Sequence, residues 1–370
     1  MDNGEQLRLH LRFRLAGVGG VTLTRLVESF GSLRAAGEAP VSRLKQVEGI
    51  GDKTAAAIAA VTDADVDEEL ALAAREGAAI LCRDDAAYPA ALTHLYDPPP
   101  VLYVMGQLSS ADAVAVAVVG SRRCTHYGLE QADRFGGLLG RAGFTVVSGG
   151  ARGIDIAAHR GAMESGGRTI AVMGSGLCHL YPPENVQLFR RIVDSGRGAV
   201  VGELPMRTAV LAGSFPTRNR IIAALSLGVL VIEAALRSGS LITARLAVEQ
   251  GKDVFALPGR VDSPFSQGTN KLIRDGSAAL VQNLDDILES LGRVGQVIRD
   301  AGGAERPRPK LAMDPTEAAL AAQLAGTELT IDELIRRTGL PANVVTAAMT
   351  MLAIKGAVVQ KPGGLFAAKN

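Results

Sequence analysis

The stretch Ser148-Gly149-Gly150-Ala151-Arg152-Gly153-Ile154-Asp155, running on to Ala157-Ala158-His159, has the make-up of an anion cradle. An apolar strand over 144–147 feeds a glycine-rich turn, and a helix is expected to start near Ile154. Such a turn aims free backbone N–H groups and the positive helix end at whatever lies beyond the strand tip, which suits phosphate. Arg152 adds a fixed charge with forked donors. Alone, the stretch reads equally as an ordinary tight turn of an α/β domain. Recurrence is what gives it weight, because turns of the same kind follow at least three further strand candidates.

One is Gly120-Ser121-Arg122-Arg123, and another is Gly174-Ser175-Gly176 with Tyr181-Pro182-Pro183-Glu184 after it. A third is Glu233-Ala234-Ala235-Leu236-Arg237-Ser238-Gly239-Ser240, opening a helix that holds Thr243, with Ser240 as the expected N-cap. Between the fourth and fifth strands, Phe215-Pro216-Thr217-Arg218-Asn219-Arg220 heads a helix. In parallel sheets these pieces converge at the carboxyl edge. A mononucleotide needs one phosphate cradle, whereas several side by side suit single-stranded nucleic acid. Its bases stack on aromatic rings for about 1–3 kcal/mol each. Phe215, beside Arg218 and Arg220, is the stacking candidate, and a core Phe is the alternative.

Other chemistries fit less well. Gly120-Ser121-Arg122-Arg123 is not the GxGxxG of dinucleotide binding, since two arginines sit where the backbone must approach closely. Asp155, His159 and Glu233 form no Ser-His-Asp or metal-ligand spacing. Asp155 and His159 are i and i+4 on one helix face and are expected to pair or hold the turn. Glu233, at a strand end, is expected to orient nearby amides. No catalytic residue, cofactor or metal is assigned.

The 370 residues allow two or three domains, and 47% hydrophobic against 21% charged residues allows a sizeable core. A net charge of +1 excludes a generally basic coat, so a polyanion site must be a local patch. The three cysteines, Cys82, Cys124 and Cys178, lie far apart without a CxxC pair, which fits a reducing compartment. The N-terminal residues show no apolar signal core, and the longest uncharged apolar run, between Arg220 and Glu233, is too short to span a bilayer. A cytoplasmic protein is expected.

The elements that would position these turns fall into four segments. Residues 1–108 read as short helices with a connecting segment. Two punctuations, Gly17-Val18-Gly19-Gly20 and Gly49-Ile50-Gly51-Asp52-Lys53, resemble a tandem helix-hairpin-helix (SAM-like) module whose amides approach DNA phosphate. Turns used only for packing are the alternative. Residues 109–295 alternate helical patterns with Val/Ala/Ile runs at 113–119, 144–147, 169–172, 198–201, 229–232, 253–256 and 278–281. That alternation predicts an α/β domain with a parallel sheet and helices on both faces. Residues 296–313 read as a Gly/Pro/Arg linker, and 314–370 as a winged-helix-like tail of three helices and a ribbon. The tail carries five basic and five acidic residues, and its 341–355 helix lacks the Arg, Lys, Asn and Gln of a duplex reader. A protein-contact or weakly DNA-assisting role is favoured there.

Taken together, Val119-Gly120-Ser121-Arg122, the Ser148–Asp155 stretch with His159, Arg218-Asn219-Arg220-Ile221-Ile222, Ser238-Gly239-Ser240-Leu241-Ile242-Thr243-Ala244 and Leu257-Pro258-Gly259 resemble the signature of the DprA/Smf family of DNA-processing proteins. The order and spacing agree over about residues 100–290. The resemblance implies an extended Rossmann-like fold and a non-enzymatic, homodimeric single-stranded DNA-binding protein. Such proteins protect incoming strands in natural transformation and load the RecA recombinase. By motif match, DNA contacts fall on Gly120, Ser121, Arg122, Gly149, Gly150, Arg152, Gly153, Phe215, Arg218, Asn219 and Arg220, with Ser238, Gly239, Ser240 and Thr243 in support. Gly150 stands where family members often have Leu, which loosens the turn. An enzyme of the nucleotide phosphoribohydrolase kind is the alternative, but its Pro-Gly-Gly-x-Gly-Thr motif has no counterpart in context.

Overall fold

The computed structural model describes residues 3–211, 213–298, 313–354, 357–361 and 365–368. Most of the linker expected over 296–313, and Pro362-Gly363-Gly364 within the expected ribbon, lie outside these residues. The chain divides into two compact units, residues 1–305 and 306–370.

The first unit opens with α1 (Asn3–Leu15), α2 (Gly20–Phe30), α3 (Leu33–Glu38), α4 (Val41–Leu44) and α5 (Asp52–Ala60), which close over Phe13, Leu23, Leu26, Leu44, Ile50 and Ile58. Helix α6 (Asp63–Arg75) starts at a capping box in which Thr62 and Asp65 satisfy each other's amides. Strand β1 (Ala78–Cys82), helix α7 (Ala90–Thr93) and strand β2 (Val101–Gly106) follow. Then come β3 (Ala115–Val119), α8 (His126–Arg141), β4 (Thr145–Ser148), α9 (Ile154–Glu164), β5 (Thr169–Met173), α10 (Val186–Asp194) and β6 (Gly198–Gly202). The unit continues through α11 (Ser214–Ala224), β7 (Gly228–Val231), α12 (Gly239–Glu249), β8 (Asp253–Ala256), α13 (Gln267–Arg274), β9 (Ala279–Leu280), α14 (Leu284–Ser290) and α15 (Arg293–Ile298).

All nine strands form one sheet in the order β1-β2-β6-β5-β4-β3-β7-β8-β9. The run from β6 to β9 is parallel, and β2 joins it antiparallel through Tyr103 opposite Gly202. Both faces are covered, as continuous apolar strands require. Ala115, Ala117, Val119, Ile170 and Val172 pack with Ile221 and Ile222 of α11 and Ala244 of α12. On the other face Val116, Val118 and Val146 meet Phe135 of α8 and Ala157 of α9. The sheet crosses residue 108, placed at a domain edge by the sequence reading, because β1 and β2 complete its β6 flank.

Helices α8 and α9 cross at van der Waals contact of their backbones. A Cβ on Gly161 would lie 2.0 Å from the Asp133 carbonyl, and one on Gly136 would lie 2.3 Å from that of Ala158. Helix propensity favours Gly→Ala by about 1 kcal/mol, but overpacking costs about 1–3 kcal/mol or more. The clash is with backbone and should win. Gly161→Ala is expected to lower the urea midpoint of the full chain by about 2 kcal/mol of stability, and a rise in midpoint would contradict the close crossing.

The first of the two glycine hairpins is already occupied. Asp97 Oδ1 accepts the Val21 N–H at 3.0 Å, at the start of α2, where no side-chain cap is supplied by Gly19. Gly20 lies so near Pro98 that a Cβ would be 1.9 Å from its carbonyl oxygen. An internal carboxylate thus takes up an amide at the head of α2, and the hairpin packs against Asp97 and Pro98. Among the described residues none caps the second hairpin in this way; its Asp52 pairs with Lys45 at 2.5 Å.

The second unit contains α16 (Pro315–Gln323), β10 (Glu328–Thr330), α17 (Ile331–Thr338), α18 (Ala342–Ile354), β11 (Val358–Lys361) and β12 (Leu365–Ala368), with sheet order β10-β12-β11. Leu320, Leu334, Val345, Leu352 and Phe366 form its core. This is a winged helix, as the tail's pattern predicts. The short strand β10 is additional to the expected ribbon.

Candidate nucleic-acid interface

Strands β3 and β7 are hydrogen-bonded neighbours although three strands separate them in the chain. The chain winds away from β3 through β4, β5 and β6, then returns to start β7 on its other side. The turns leaving β3 and β7 therefore diverge, and a crevice opens outside their carboxyl ends. A cleft of about 610 Å³ occupies it.

The β3 turn forms one wall. Ser121 N–H donates to the Glu233 carbonyl at 2.7 Å, tying this turn to the end of β7. The Ser121 hydroxyl donates to the Arg123 carbonyl at 2.5 Å, which curls the turn and leaves Arg122 and Arg123 exposed. Below it, the buried Glu233 carboxylate accepts the Thr125 N–H at 2.8 Å and the Thr125 hydroxyl at 2.6 Å. It sits at the positive start of α8 and orients amides there, as expected.

The floor is a buried guanidinium. Arg218 in α11 is 4% exposed and donates Nη1–H bonds to the carbonyls of Gly149, at 2.8 Å, and of Val172. It thereby ties α11 to the tips of β4 and β5. Burial lowers its pKa to about 10, against the opposing pull of Asp155. Asp155, in the first turn of α9, accepts the Ala151 N–H at 3.3 Å. Burial pushes its carboxyl up to about 6, with Arg218 the largest opposing influence. Gly149 makes room for both, since a Cβ there would lie 2.6 Å from Arg218 Nη2 and 2.8 Å from Asp155 Oδ2.

His159 does not partner Asp155. Its Nδ1 is 2.7 Å from Thr169 Oγ1, and that hydroxyl donates to the Val146 carbonyl, so Nδ1 carries the proton. Nε2 is buried without a partner, and burial lowers the imidazole to about 3, so the ring is neutral.

The opposite wall comes from the β7 turn and α12. Ser238 is the N-cap of α12, accepting the Ser240 N–H at 3.4 Å; Ser240, expected in that role, is the second helical residue. Arg237 is exposed at this lip, with the half-buried Phe265 beside it. Phe215 is half-buried at the head of α11, with Arg122 Cζ 4.8 Å from its ring centroid and Tyr181 at 5.9 Å.

Gly120, Ser121, Arg122, Phe215, Arg218, Asn219, Ser238, Gly239, Ser240 and Thr243 thus line one cleft. Gly149 and Arg152 line a much smaller, less open shelf beside it, which shares Arg122 and Phe215. Gly150 and Gly153 line neither. Both have positive φ, and they let the β4 turn fold down on the Phe189 ring and the Ser121 carbonyl respectively. Arg220 is a correction. It faces away from the cleft, clasped by Glu203 at 2.9 and 2.6 Å and 3.5 Å from Asp97 Oδ2. Its helix neighbour Arg218 points inward, so the two cannot share a groove. Arg123, Arg237 and Tyr181 also belong to the site; they lie in the turn stretches read from the sequence, which assigns them no contact, whereas Phe265 lies outside those stretches.

Residues 79–292 match the family described as DNA recombination-mediator protein A, and residues 304–364 match the DprA winged helix domain. The chain belongs to this family. Protein Smf of Synechocystis is 34% identical, with 98% of both chains covered. Protein Smf of Escherichia coli is 41% identical over 76% of this chain and 75% of its own. Among solved family structures, DNA processing protein A of Streptococcus pneumoniae aligns with a TM-score of 0.65 at 34% identity, covering 75% of this chain and 95% of that one. DNA processing protein A of Helicobacter pylori, described for its single-stranded DNA binding mode, gives 0.52 at 33% identity over 58% of this chain and 95% of its own. Among the described residues, no group of three or more His, Cys, Asp or Glu could hold a metal ion, and no helix is long and apolar enough to cross a membrane.

Proposed function

We propose that the cleft receives single-stranded DNA, and that the protein shields incoming strands in the cytoplasm and loads RecA recombinase on them during natural transformation, acting as a homodimer without chemistry of its own. The observation that carries this reading is local charge. Four arginines, Arg122, Arg123, Arg218 and Arg237, line the cleft against one carboxylate, Asp155, in a chain whose net charge is only +1. Such a groove tracks a phosphate backbone, and the Phe215 ring at its lip offers a face to a base. A binding-only role is supported by the sealed imidazole of His159, which is 0% exposed and cannot reach a substrate. The outward residues of α18, including Asn343, Val344, Thr346, Ala347 and Met351, carry no charge and favour a protein partner for the winged helix.

The test is titration of a short thymidine homopolymer at two salt concentrations. Arg122→Ala is expected to weaken binding about tenfold at low salt and to flatten the log K against log salt slope by about 0.7, one single-strand phosphate contact. Equal affinity and slope in the variant would remove the cleft from the binding path. Release of a free base from a nucleoside monophosphate would overturn the binding-only reading.

A further inference from the structure

Beside the cleft, four side chains form a ladder of two adjacent rings with a cation at each end. Arg152 Cζ lies 5.7 Å from the Tyr181 centroid, Tyr181 lies 5.9 Å from Phe215, and Arg122 Cζ lies 4.8 Å from Phe215. The ladder borders the shelf, so a strand leaving the cleft past Phe215 meets Tyr181 next. Tyr181 is half-buried in the lining of this shelf, with Arg152 over its ring and Phe215 beside it.

Arg152 is engaged by an anion of the protein's own. Its Nε donates to Glu184 Oε1 and its Nη2 to Glu184 Oε2 at 3.2 Å, while Nη1 lies 3.5 Å from the Tyr181 hydroxyl. A guanidinium fork accepts a carboxylate or a phosphate in the same two-pronged geometry. The side chains of Arg152 and Glu184 are 52% and 49% exposed, and an ion pair in that setting contributes little to folding. Exchanging Glu184 for a phosphate would therefore leave the fold intact, with the fork already aimed along the shelf.

We infer that this shelf is a second nucleotide subsite on the same protomer, where Tyr181 carries a base, Arg152 takes a phosphate, and Glu184 fills the Arg152 fork until the strand displaces it. The inference rests on the cleft binding single-stranded DNA. Tyr181 supplies a face of the kind every base can stack on, so the subsite selects for an unpaired strand without selecting its sequence. Glu184 sets a threshold, since an anion must outcompete a tethered carboxylate, which disfavours isolated small anions more than a strand already held at the cleft.

The test uses the full chain and a labelled thymidine homopolymer followed by fluorescence anisotropy. Tyr181→Leu is expected to weaken binding about tenfold and Tyr181→Phe less than twofold, because the ring is what stacks. Glu184→Gln is expected to tighten binding about threefold at low salt and to steepen the salt dependence, and adding Arg152→Ala should abolish that gain. If Arg122→Ala binds like the unsubstituted protein, the cleft reading itself fails. If Arg122→Ala weakens binding while Tyr181→Leu and Glu184→Gln both match the unsubstituted protein, the shelf alone is overturned. Equal losses in the Leu and Phe variants would overturn stacking on Tyr181. Urea midpoints check folding, and Glu184→Gln, on an exposed side chain, decides the outcome should Tyr181→Leu fail to fold.

Discussion

Arg218→Met is expected to destabilise the protein by about 2–5 kcal/mol, since each buried acceptor left without its donor costs about 1–3 kcal/mol. The substitution keeps most of the side-chain volume but leaves the buried Asp155 without its counter-charge, and the Gly149 and Val172 carbonyls without their donor. Adding Asp155→Asn removes the stranded charge, so the double variant should recover more than 1 kcal/mol relative to additivity. Urea unfolding of the four proteins measures this. Strict additivity would mean that the guanidinium and carboxylate do not sense each other. The loss should reach the cleft as well, because the tips of β4 and β5 would no longer be fixed to α11.

A second large effect should be visible only as a function of pH. His159 titrates at about 3 in the folded protein, against 6.5 when unperturbed. Between these values the unfolded chain binds the extra proton, so this residue removes stability as pH falls from 6.5. Asp155 works in the opposite direction. Its folded pKa of about 6 exceeds the ordinary 3.8, so the folded state binds the extra proton between them and stability is gained as pH falls. Down to pH 4 each contribution is about 3 kcal/mol, at 1.36 kcal/mol per unit. The two nearly cancel in the unsubstituted protein. His159→Asn, whose side-chain N–H replaces Nδ1 toward Thr169, abolishes one of them. Its stability relative to the unsubstituted protein is expected to rise by about 2–3 kcal/mol between pH 7 and pH 4. Parallel stability curves for the two proteins over that range would contradict a neutral, sealed imidazole.

The parallel strands are legible in the sequence because strands buried on both faces are unbroken Val/Ala/Ile runs. The run at 113–119 becomes β3 at Ala115–Val119, and the run at 253–256 is β8 itself. Strand β2 is harder to read. Val101-Leu102-Tyr103-Val104 follows three prolines and looks like a stiffened passage, and its partner β6 lies about a hundred residues on. Strand β10 is only three residues long, and its Thr330 doubles as the N-cap of α17. In the site, glycine turns are legible because close approach demands them, as at Gly149 beneath Arg218. Arginine partners are not. Arg152, Arg218 and Arg220 look alike along the chain, yet Arg152 is held by Glu184, Arg218 by main-chain carbonyls, and Arg220 by Glu203 and the distant Asp97. The charge is a property of the residue, and its availability depends on what folding brings against it.

The placement of β2 has a practical consequence for anyone trimming the molecule. A fragment beginning at residue 109 would keep the cleft but strip the antiparallel cover from β6, whose Ala199, Val200 and Val201 are wholly buried in the intact sheet. Those residues would become a bare, sticky margin with unsatisfied amides, ready to zip onto another molecule. Such a fragment would self-associate for reasons unrelated to how the whole protein assembles, and its oligomer would be an artefact of the cut.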